Sequence, residues 1–178
     1  EAAKELSYPF IYRKKRSIAR LQKEYHCAVI VAGHERFELH RPGMEKPFFF
    51  HPNSAMFRFK RLLKGETDPL VEVAGLKEGD TFLDCTLGLA SDSLIASFVV
   101  GASGKVLGLE QDGDVAFIVK EGLKKFPTTF IELEEAMKRI HVQQADAISY
   151  LKGTPDNTWD VVYIDPMFTE PIDESSNF

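Results

Sequence analysis

The chain has few of the residues that build a disulfide scaffold or a metal centre. Its 178 residues include two cysteines, Cys27 and Cys85, and its five histidines show no paired spacing with them. We therefore expect no disulfide framework and no metal, and this use of cysteine is typical of a reducing, cytoplasmic setting. The sequence also lacks an apolar run long enough to span a bilayer, so no membrane partner is expected.

The chain also lacks an excess of positive charge. Its formal charge of −5 disfavours indiscriminate binding to nucleic acid but leaves room for a local basic patch. Residues 13–23 contain such a cluster, with apolar residues at helical spacing. A solvated helix face is the favoured interpretation of this cluster, and a phosphate-contacting surface is the alternative.

Hydrophobic residues make up 44% of the chain, enough for one core with a small appendage. A helical pattern broken at Pro9 comes first, and three short strand patterns follow it, over residues 27–33, 36–41 and 47–51. A helix and then strands, without alternation, predict a small α+β appendage over residues 1–52.

From residue 53 to residue 178 strands and helices alternate. A strand is predicted to follow the turn at residues 77–80 and to end at residue 84, and further strands are predicted over residues 105–110, 141–146 and 159–165. Four alternations predict an α/β fold with a mostly parallel, doubly wound sheet. Such sheets bind ligands outside the carboxyl ends of their strands.

The loop after the first of these strands is the candidate ligand cradle. Small residues around Gly88 let its backbone approach a ligand, and the next helix, which begins near Ser91, points unpaired N–H groups toward it. Each predicted strand also ends on an acid, and these acids should lie along one edge of the sheet. They are Asp84, Glu110, Asp146 and Asp165. The second of them is placed to hold the ribose hydroxyls of a nucleoside.

The same loop indicates which nucleoside cofactor fits. It lacks the G-x-G-x-x-G pattern that brings backbone against a pyrophosphate, which disfavours a dehydrogenase. The loop opens with Asp84 and closes with Asp92. Two carboxylates repel a diphosphate but suit a cationic ligand such as S-adenosylmethionine (SAM).

Two motifs resemble those of a known family. Residues 84–92, Asp-Cys-Thr-Leu-Gly-Leu-Ala-Ser-Asp, are similar to the D-x-T-x-G-x-G-x-D loop of class I SAM-dependent methyltransferases, specifically those like the bacterial 16S ribosomal RNA guanine-N2 methyltransferase. Residues 165–168, Asp-Pro-Met-Phe, resemble that group's D-P-M-[FY] motif, and residues 54–58 resemble its basic segment. The likeness spans residues 54–168, with Ala90 where the family has its second glycine.

The resemblance implies a Rossmann-like methyltransferase domain over residues 53–178, with SAM as its cofactor. The residues it places against the cofactor are Asp84, Thr86, Gly88, Ser91, Asp92, Glu110, Gln111, Asp146, Ala147 and Asp165. The catalytic group would be Asp165, Pro166, Met167 and Phe168, acting on an exocyclic amine, guanine N2 of ribosomal RNA. A carboxylate and a carbonyl can accept the two amine N–H bonds and aim the nitrogen lone pair, while the phenylalanine stacks on an unpaired or flipped base.

A basic helix ahead of the cradle is the predicted RNA contact. Arg58, Lys60 and Arg61 alternate there with phenylalanines, a mixture that can hold phosphates and stack bases. The alternative is an ordinary amphipathic helix with its phenylalanines in the core. The net acidity and the Thr-Glu-Pro sequence after Phe168 favour a small-molecule or protein substrate instead, and Ala90 leaves open a non-catalytic nucleoside-binding or RNA-binding module.

The last predicted strand would be an exposed apolar edge, over residues 161–164, in a sheet of four strands. The ten residues after Phe168 are acidic and show no apolar periodicity. We therefore expect the methyltransferase domain to be truncated at its C-terminal side. Either the native polypeptide continues or a partner covers the edge, and a homodimer is one such arrangement.

Overall fold

The computed structural model describes residues 2–166 of the chain. Its helices are α1 Ala2–Glu5, α2 Ile18–Tyr25, α3 Asn53–Leu63, α4 Pro69–Ala74, α5 Ser91–Val100, α6 Gly113–Lys125, α7 Ile131–Arg139 and α8 Ala147–Lys152. Its strands are β1 Val29–Ala32, β2 Phe37–His40, β3 Thr81–Asp84, β4 Lys105–Glu110, β5 Ile140–Gln144 and β6 Val161–Tyr163. None of these helices has the length and apolarity that a bilayer crossing requires.

Strands β3 to β6 form one parallel sheet in the order β5-β4-β3-β6, which confirms the predicted Rossmann-like α/β fold. Successive side chains of the central strand β3 pack on opposite faces of the sheet, since the side chains of a strand alternate between faces. Phe82 packs into the larger hydrophobic cluster, with residues of α3, α5 and α7. Leu83 packs on the other face, beside Tyr150 and Leu151 of α8. Both side chains are fully buried, so the two central residues of this strand are apolar on both faces of the sheet.

Two predicted elements near the N-terminus differ from the observed ones. Irregular backbone separates α1 from α2, and Lys14 and Lys15 have φ of 45° and 65°, which a right-handed helix does not allow. The third predicted strand forms an isolated bridge from Leu39 to Phe48 instead. Pro47 next to this bridge has no N–H to donate, which limits further pairing.

The N-terminal residues share the core of the main domain. β1 and β2 form an antiparallel pair of their own, but Leu39 and Phe50 lie in the same hydrophobic cluster as Phe82 of β3. Phe50 packs against α6 at Gly122, where an added Cβ would overlap the Phe50 ring. A division of the chain at residue 52 stays a prediction, and the packing joins both sides of that point.

β6 forms an edge of the sheet. Among residues 2–166 no strand pairs with its outer side, and its Val162 is 45% exposed. Ile164, just past the strand, is also exposed. The continuation of the chain or the partner expected here, such as a second copy in a homodimer, stays a prediction.

Gly122→Ala tests the packing of the N-terminal residues on α6. In an exposed helix interior this change would stabilise the protein by about 1 kcal/mol. Here the new methyl group must displace the Phe50 ring, and overpacking typically costs about 1–3 kcal/mol. We therefore expect a lower free energy of unfolding in urea titrations. The change should cost less in a Phe50→Gly background, which removes the Phe50 Cβ as well as the ring, and equal losses in both backgrounds would contradict the contact.

Candidate active site

The ends of the parallel strands meet at one edge of the sheet. Asp84 and Glu110 are the last residues of β3 and β4, which pair in parallel. Asp165 follows the end of β6 by two positions, and Asp146 follows the end of β5 by two. The strand order therefore brings all four acids to the carboxyl edge, where doubly wound sheets bind ligands.

Asp84 is buried beneath this edge. The residue is 1% exposed, its Oδ1 accepts the Thr86 N–H at 3.0 Å, and its Oδ2 accepts the Ser93 hydroxyl at 2.7 Å. Burial raises the pKa of the carboxyl to about 6, against the opposing effect of these two hydrogen bonds. This geometry suits a structural role, in which the Asp84 carboxylate positions the loop and the first turn of α5. It suits direct contact between Asp84 and a cofactor less well.

The loop between β3 and α5 turns through two residues with positive φ. Gly88 has a φ of 48° and Ala90 a φ of 60°, so Ala90 adopts the left-handed conformation that glycine takes more easily. The Ala90 side chain is fully buried in the hydrophobic cluster, so its methyl group leaves the surface of the loop free. Ala90 begins α5 without a side-chain cap, and the first N–H groups of the helix, from Ser91 on, face the loop.

Backbone hydrogen bonds tie this loop to the segment after β6. The Cys85 N–H donates to the Tyr163 carbonyl at 2.9 Å, and the Asp165 N–H donates to the Thr86 hydroxyl at 2.9 Å. The Asp165 carboxylate is exposed and lies 3.4 Å from the Tyr163 hydroxyl. The first residue of the predicted catalytic motif thus lies beside the predicted cradle.

Tyr163 is a site residue that sequence reasoning missed. Burial comes first among the causes that raise the pKa of its hydroxyl to about 12, followed by the carboxylates of Asp92, Asp165 and Asp84. Tyr163 therefore stays protonated at neutral pH and can donate to Asp165. The signal in the sequence was its position two residues before Asp165, since residues i and i+2 of an extended chain share a face.

Arg58 of α3 links α4 to α5 beside the loop. Its guanidinium donates to both oxygens of Asp68 at 2.8 Å and to Asp92 at 2.6 Å. Asp68 is the N-cap of α4, its side chain is 4% exposed, and the hydrogen bonds from Arg58 hold its pKa below the ordinary value. The guanidinium is engaged inside the protein, so its observed role is to hold Asp92 at the first turn of α5. The predicted phosphate contact by Arg58 gains no support from this geometry.

The other two predicted RNA contacts are more accessible. Arg61 donates to Glu66 at 2.7 Å in an exposed pair, and Lys60 lies over an aromatic ring at 5.5 Å from its centroid. On the same helix Phe59 is buried in the core, whereas Phe57 is 68% exposed. One phenylalanine therefore follows the amphipathic alternative, and RNA binding by Lys60 and Arg61 stays a prediction.

Glu110 lies beside the start of α6. One of its carboxylate oxygens accepts the Asp112 N–H at 3.0 Å, and the other accepts no hydrogen bond from the described residues. Asp112 caps α6 by accepting two backbone N–H groups of the first turn, and Arg41 of the N-terminal region donates to Asp112. Gln111 between the two acids is exposed. The N-terminal region thus supports the turn that carries Glu110.

Asp146 and Ala147 occupy the start of α8. The exposed Asp146 accepts the Ser149 N–H at 2.8 Å, and hydrogen bonding to Ser149 lowers the pKa of its carboxyl. β5 ends before Asp146 because this residue caps the helix instead. Pro166 is the last described residue, so Met167 and Phe168 lie outside the described range. Within that range no cluster of His, Cys, Asp and Glu could hold a metal ion.

Arg58→Gln should strongly destabilise the protein. It leaves the buried Asp68 carboxylate without its cation, and breaking such a pair typically costs about 3–5 kcal/mol. Arg61→Gln, three residues along the same helix, removes an exposed pair and should cost under about 1 kcal/mol. Urea unfolding of both variants measures the contrast, and two equally small losses would mean that Arg58 is not a structural cation.

Asp84→Asn should stabilise the protein at neutral pH. The folded-state pKa of about 6 lies above the ordinary value of 3.8, so ionisation of Asp84 costs stability as the pH rises through this window. The amide oxygen can accept the Thr86 N–H, and the amide NH2 can donate to the Ser93 hydroxyl oxygen, so both contacts persist without a charge while the second reverses direction. We expect a free energy of unfolding higher by about 1–3 kcal/mol at pH 7, with the difference closing near pH 4. A pH-independent difference would show that ionisation is not the cause.

Sequence comparison connects this chain to a family. A family profile described as "Putative SAM-dependent methyltransferase" matches residues 14–177. The chain is 49% identical over 175 residues to an uncharacterized protein, YpiP, of Bacillus subtilis strain 168. The aligned residues cover 98% of this chain and 68% of that protein. It is 32% identical to ribosomal RNA small subunit methyltransferase J of Alteromonas mediterranea, over 58% of this chain and 39% of that enzyme. For the enzyme of the same name from Nitrosococcus oceani the identity is 30%, over 79% of this chain and 56% of that enzyme.

A solved structure shares the fold. The SAM-dependent methyltransferase NGO1261 of Neisseria gonorrhoeae superposes with a TM-score of 0.59 at 21% identity, over 80% of this chain and 57% of that one. The chain thus spans 39% and 56% of the length of the two ribosomal RNA methyltransferases. Because the family profile covers most of the sequence and the sheet has the matching architecture, the chain belongs to the SAM-dependent methyltransferase family, with S-adenosylmethionine as its cofactor.

Proposed function

We propose that this chain transfers the methyl group of SAM to an exocyclic amine of RNA, with guanine N2 of ribosomal RNA as the acceptor. The observation that carries the proposal is the exposed Asp165 carboxylate, whose backbone N–H is hydrogen-bonded to Thr86 in the cradle. The printed names of two relatives, both ribosomal RNA small subunit methyltransferases, support an RNA substrate. The choice of guanine N2 rests on the resemblance of residues 165–168 to the D-P-M-[FY] motif.

The donor set at the carboxyl edge suits this cofactor, which supplies a methyl group on a positively charged sulfonium. Glu110 has one oxygen fixed by the Asp112 N–H and the other open to ribose hydroxyls. Asp92, held by Arg58, flanks the first turn of α5. Carboxylates outnumber cations here, which favours a cation over a diphosphate. The remaining proposed contacts are Thr86, Gly88, Ser91, Gln111, Asp146, Ala147 and Asp165.

In this proposal Asp165 orients the acceptor amine. Its carboxylate accepts one amine N–H and a backbone carbonyl of the Asp165-Pro166 turn accepts the other, so the nitrogen lone pair faces the methyl carbon. The nitrogen–carbon bond forms as the carbon–sulfur bond breaks, and the surplus amine proton then leaves to solvent. No general base is required for this order of events. Met167 would complete the turn and Phe168 would stack on the flipped base.

A methyltransferase that acts on a small molecule or a protein is the second candidate. The net charge of −5 favours it, because RNA-binding surfaces are usually basic. The Thr-Glu-Pro sequence after Phe168 adds an acid close to the proposed substrate side.

Asp165→Asn should separate catalysis from cofactor binding. The neutral amide oxygen accepts the amine N–H more weakly than the carboxylate does, and the less firmly oriented amine should lower the rate of methyl transfer to RNA by about 100-fold. Binding of SAM, measured by calorimetry, should weaken far less than the rate falls, because Asp165 shares the proposed cofactor contacts with Glu110 and Asp92. Asp156→Asn, in the exposed turn before β6 and thus at the other end of that strand, is the matched control and should retain full activity.

The substrate class is decided by where labelled methyl is recovered after incubation with RNA, protein and metabolite fractions. Label in RNA that depends on Asp165 supports the proposal. Label in protein or metabolites would replace the RNA assignment with the second candidate. Equal activity of the Asp165→Asn and Asp156→Asn variants would remove Asp165 from the mechanism.

A further inference from the structure

Residues 8–16, Tyr-Pro-Phe-Ile-Tyr-Arg-Lys-Lys-Arg, form an exposed segment that the proposed chemistry does not use, called here the aromatic-basic segment. Phe10 and Tyr12 are 65% and 71% exposed, and their rings meet edge to face with centroids 4.9 Å apart. Residues 8–23 hold six cations and no acid, although the net charge of the chain is −5. Exposed aromatic rings grouped with cations indicate a binding surface.

Two contacts with α6 determine where this segment lies. Glu5 pairs with Lys120 at 2.9 Å, and the Tyr8 hydroxyl donates to Asp114 at 2.9 Å, so the chain follows α6 toward its N-terminus. That N-terminus adjoins Glu110, the last residue of β4. The aromatic-basic segment therefore begins at the edge of the sheet that carries the cofactor site.

The aromatic-basic segment contains a braced turn. Arg16 donates to two backbone carbonyls of the turn, at 2.7 and 3.2 Å, and pairs with Glu24 of α2 at 3.0 Å. Lys14 and Lys15 hold the positive φ values given above, a conformation that costs free energy for residues with a side chain. Both lysines are exposed, and neither has an ion-pair partner among residues 2–166. The contacts of Arg16 therefore hold the turn so that both lysine side chains are exposed, close in sequence to the two exposed rings.

We infer that the aromatic-basic segment is a stacking platform for an unpaired stretch of RNA, an inference that rests on the proposed function. Any base can stack on an exposed ring, and neighbouring cations hold phosphates regardless of sequence. A target base that enters the cofactor pocket must leave its helix, so its neighbours at this edge need a surface that replaces lost stacking. Phe10 and Tyr12 supply that surface. A lipid-binding face would need several aliphatic side chains, and the segment offers Ile11.

The test measures RNA binding apart from methyl transfer. Fluorescence anisotropy with a labelled single-stranded RNA of about 12 nucleotides compares three variants with the unaltered protein. The Phe10→Ala/Tyr12→Ala variant should bind roughly tenfold more weakly, since each stacked base contributes substantially to affinity. The Lys14→Gln/Lys15→Gln variant should lower the slope of log K against log salt by about 1.4. Ile131→Ala on α7, with a similar exposure of 73%, lies in no proposed site and should bind within about twofold of the unaltered protein.

Three further measurements make the outcomes decisive. Calorimetric SAM binding should be the same in all variants, which shows that they are folded. Unchanged RNA affinity in the Phe10→Ala/Tyr12→Ala variant, or an equal loss in the Ile131→Ala variant, would overturn the platform. The platform would also be overturned if the unaltered protein bound vesicles of anionic lipid but not the RNA, and if the Phe10→Ala/Tyr12→Ala variant lost that vesicle binding. Platform-dependent RNA binding without any methyl transfer to RNA would keep the platform and reject the proposed function, so the two can fail separately.

Discussion

The buried carboxylate of Asp84 is the point from which the site is built. Its two oxygens hold the Thr86 N–H and the Ser93 hydroxyl, which fixes the loop between β3 and α5 at both ends. Thr86 in turn accepts the Asp165 N–H, so the segment after β6 takes its position from the same carboxylate. Burial of this charge is unfavourable, and it raises the pKa of the Asp84 carboxyl. Hydrophobic packing on both faces of β3 offsets this cost.

Negative charge is concentrated above this carboxylate. The carboxylates of Asp92, Asp165 and Asp84 all act on the Tyr163 hydroxyl, which shows how closely they gather. Arg58 offsets Asp92 from the side of α3, but its other partner is the buried Asp68, so little of its charge remains for the edge. A cationic cofactor gains a favourable field on arrival and a diphosphate does not. The chemistry of the site therefore agrees with the family to which the chain belongs.

The sheet could be predicted from the sequence because its central strands are buried on both faces and alternate with helices at regular spacing. Side-chain roles were harder to predict. Arg58 looks like a phosphate contact because a sequence does not show that Asp68 and Asp92, 10 and 34 positions away, lie against it. Asp146 looks like a strand end, yet it caps α8, since aspartate favours both positions. The left-handed turn at Lys14 has no signature in composition, because lysine rarely adopts it.

The first turn of α6 connects the two ends of this molecule. Glu110 accepts the Asp112 N–H. Asp112 caps the helix and accepts a hydrogen bond from Arg41. Asp114 accepts a hydrogen bond from the Tyr8 hydroxyl. One acid thus serves the proposed ribose site, one the helix, and one the N-terminal segment. Because all three lie within five residues, a shift of the helix start would move the proposed cofactor site and the aromatic-basic segment together. These contacts therefore connect the N-terminal region to the edge that we propose as the cofactor site.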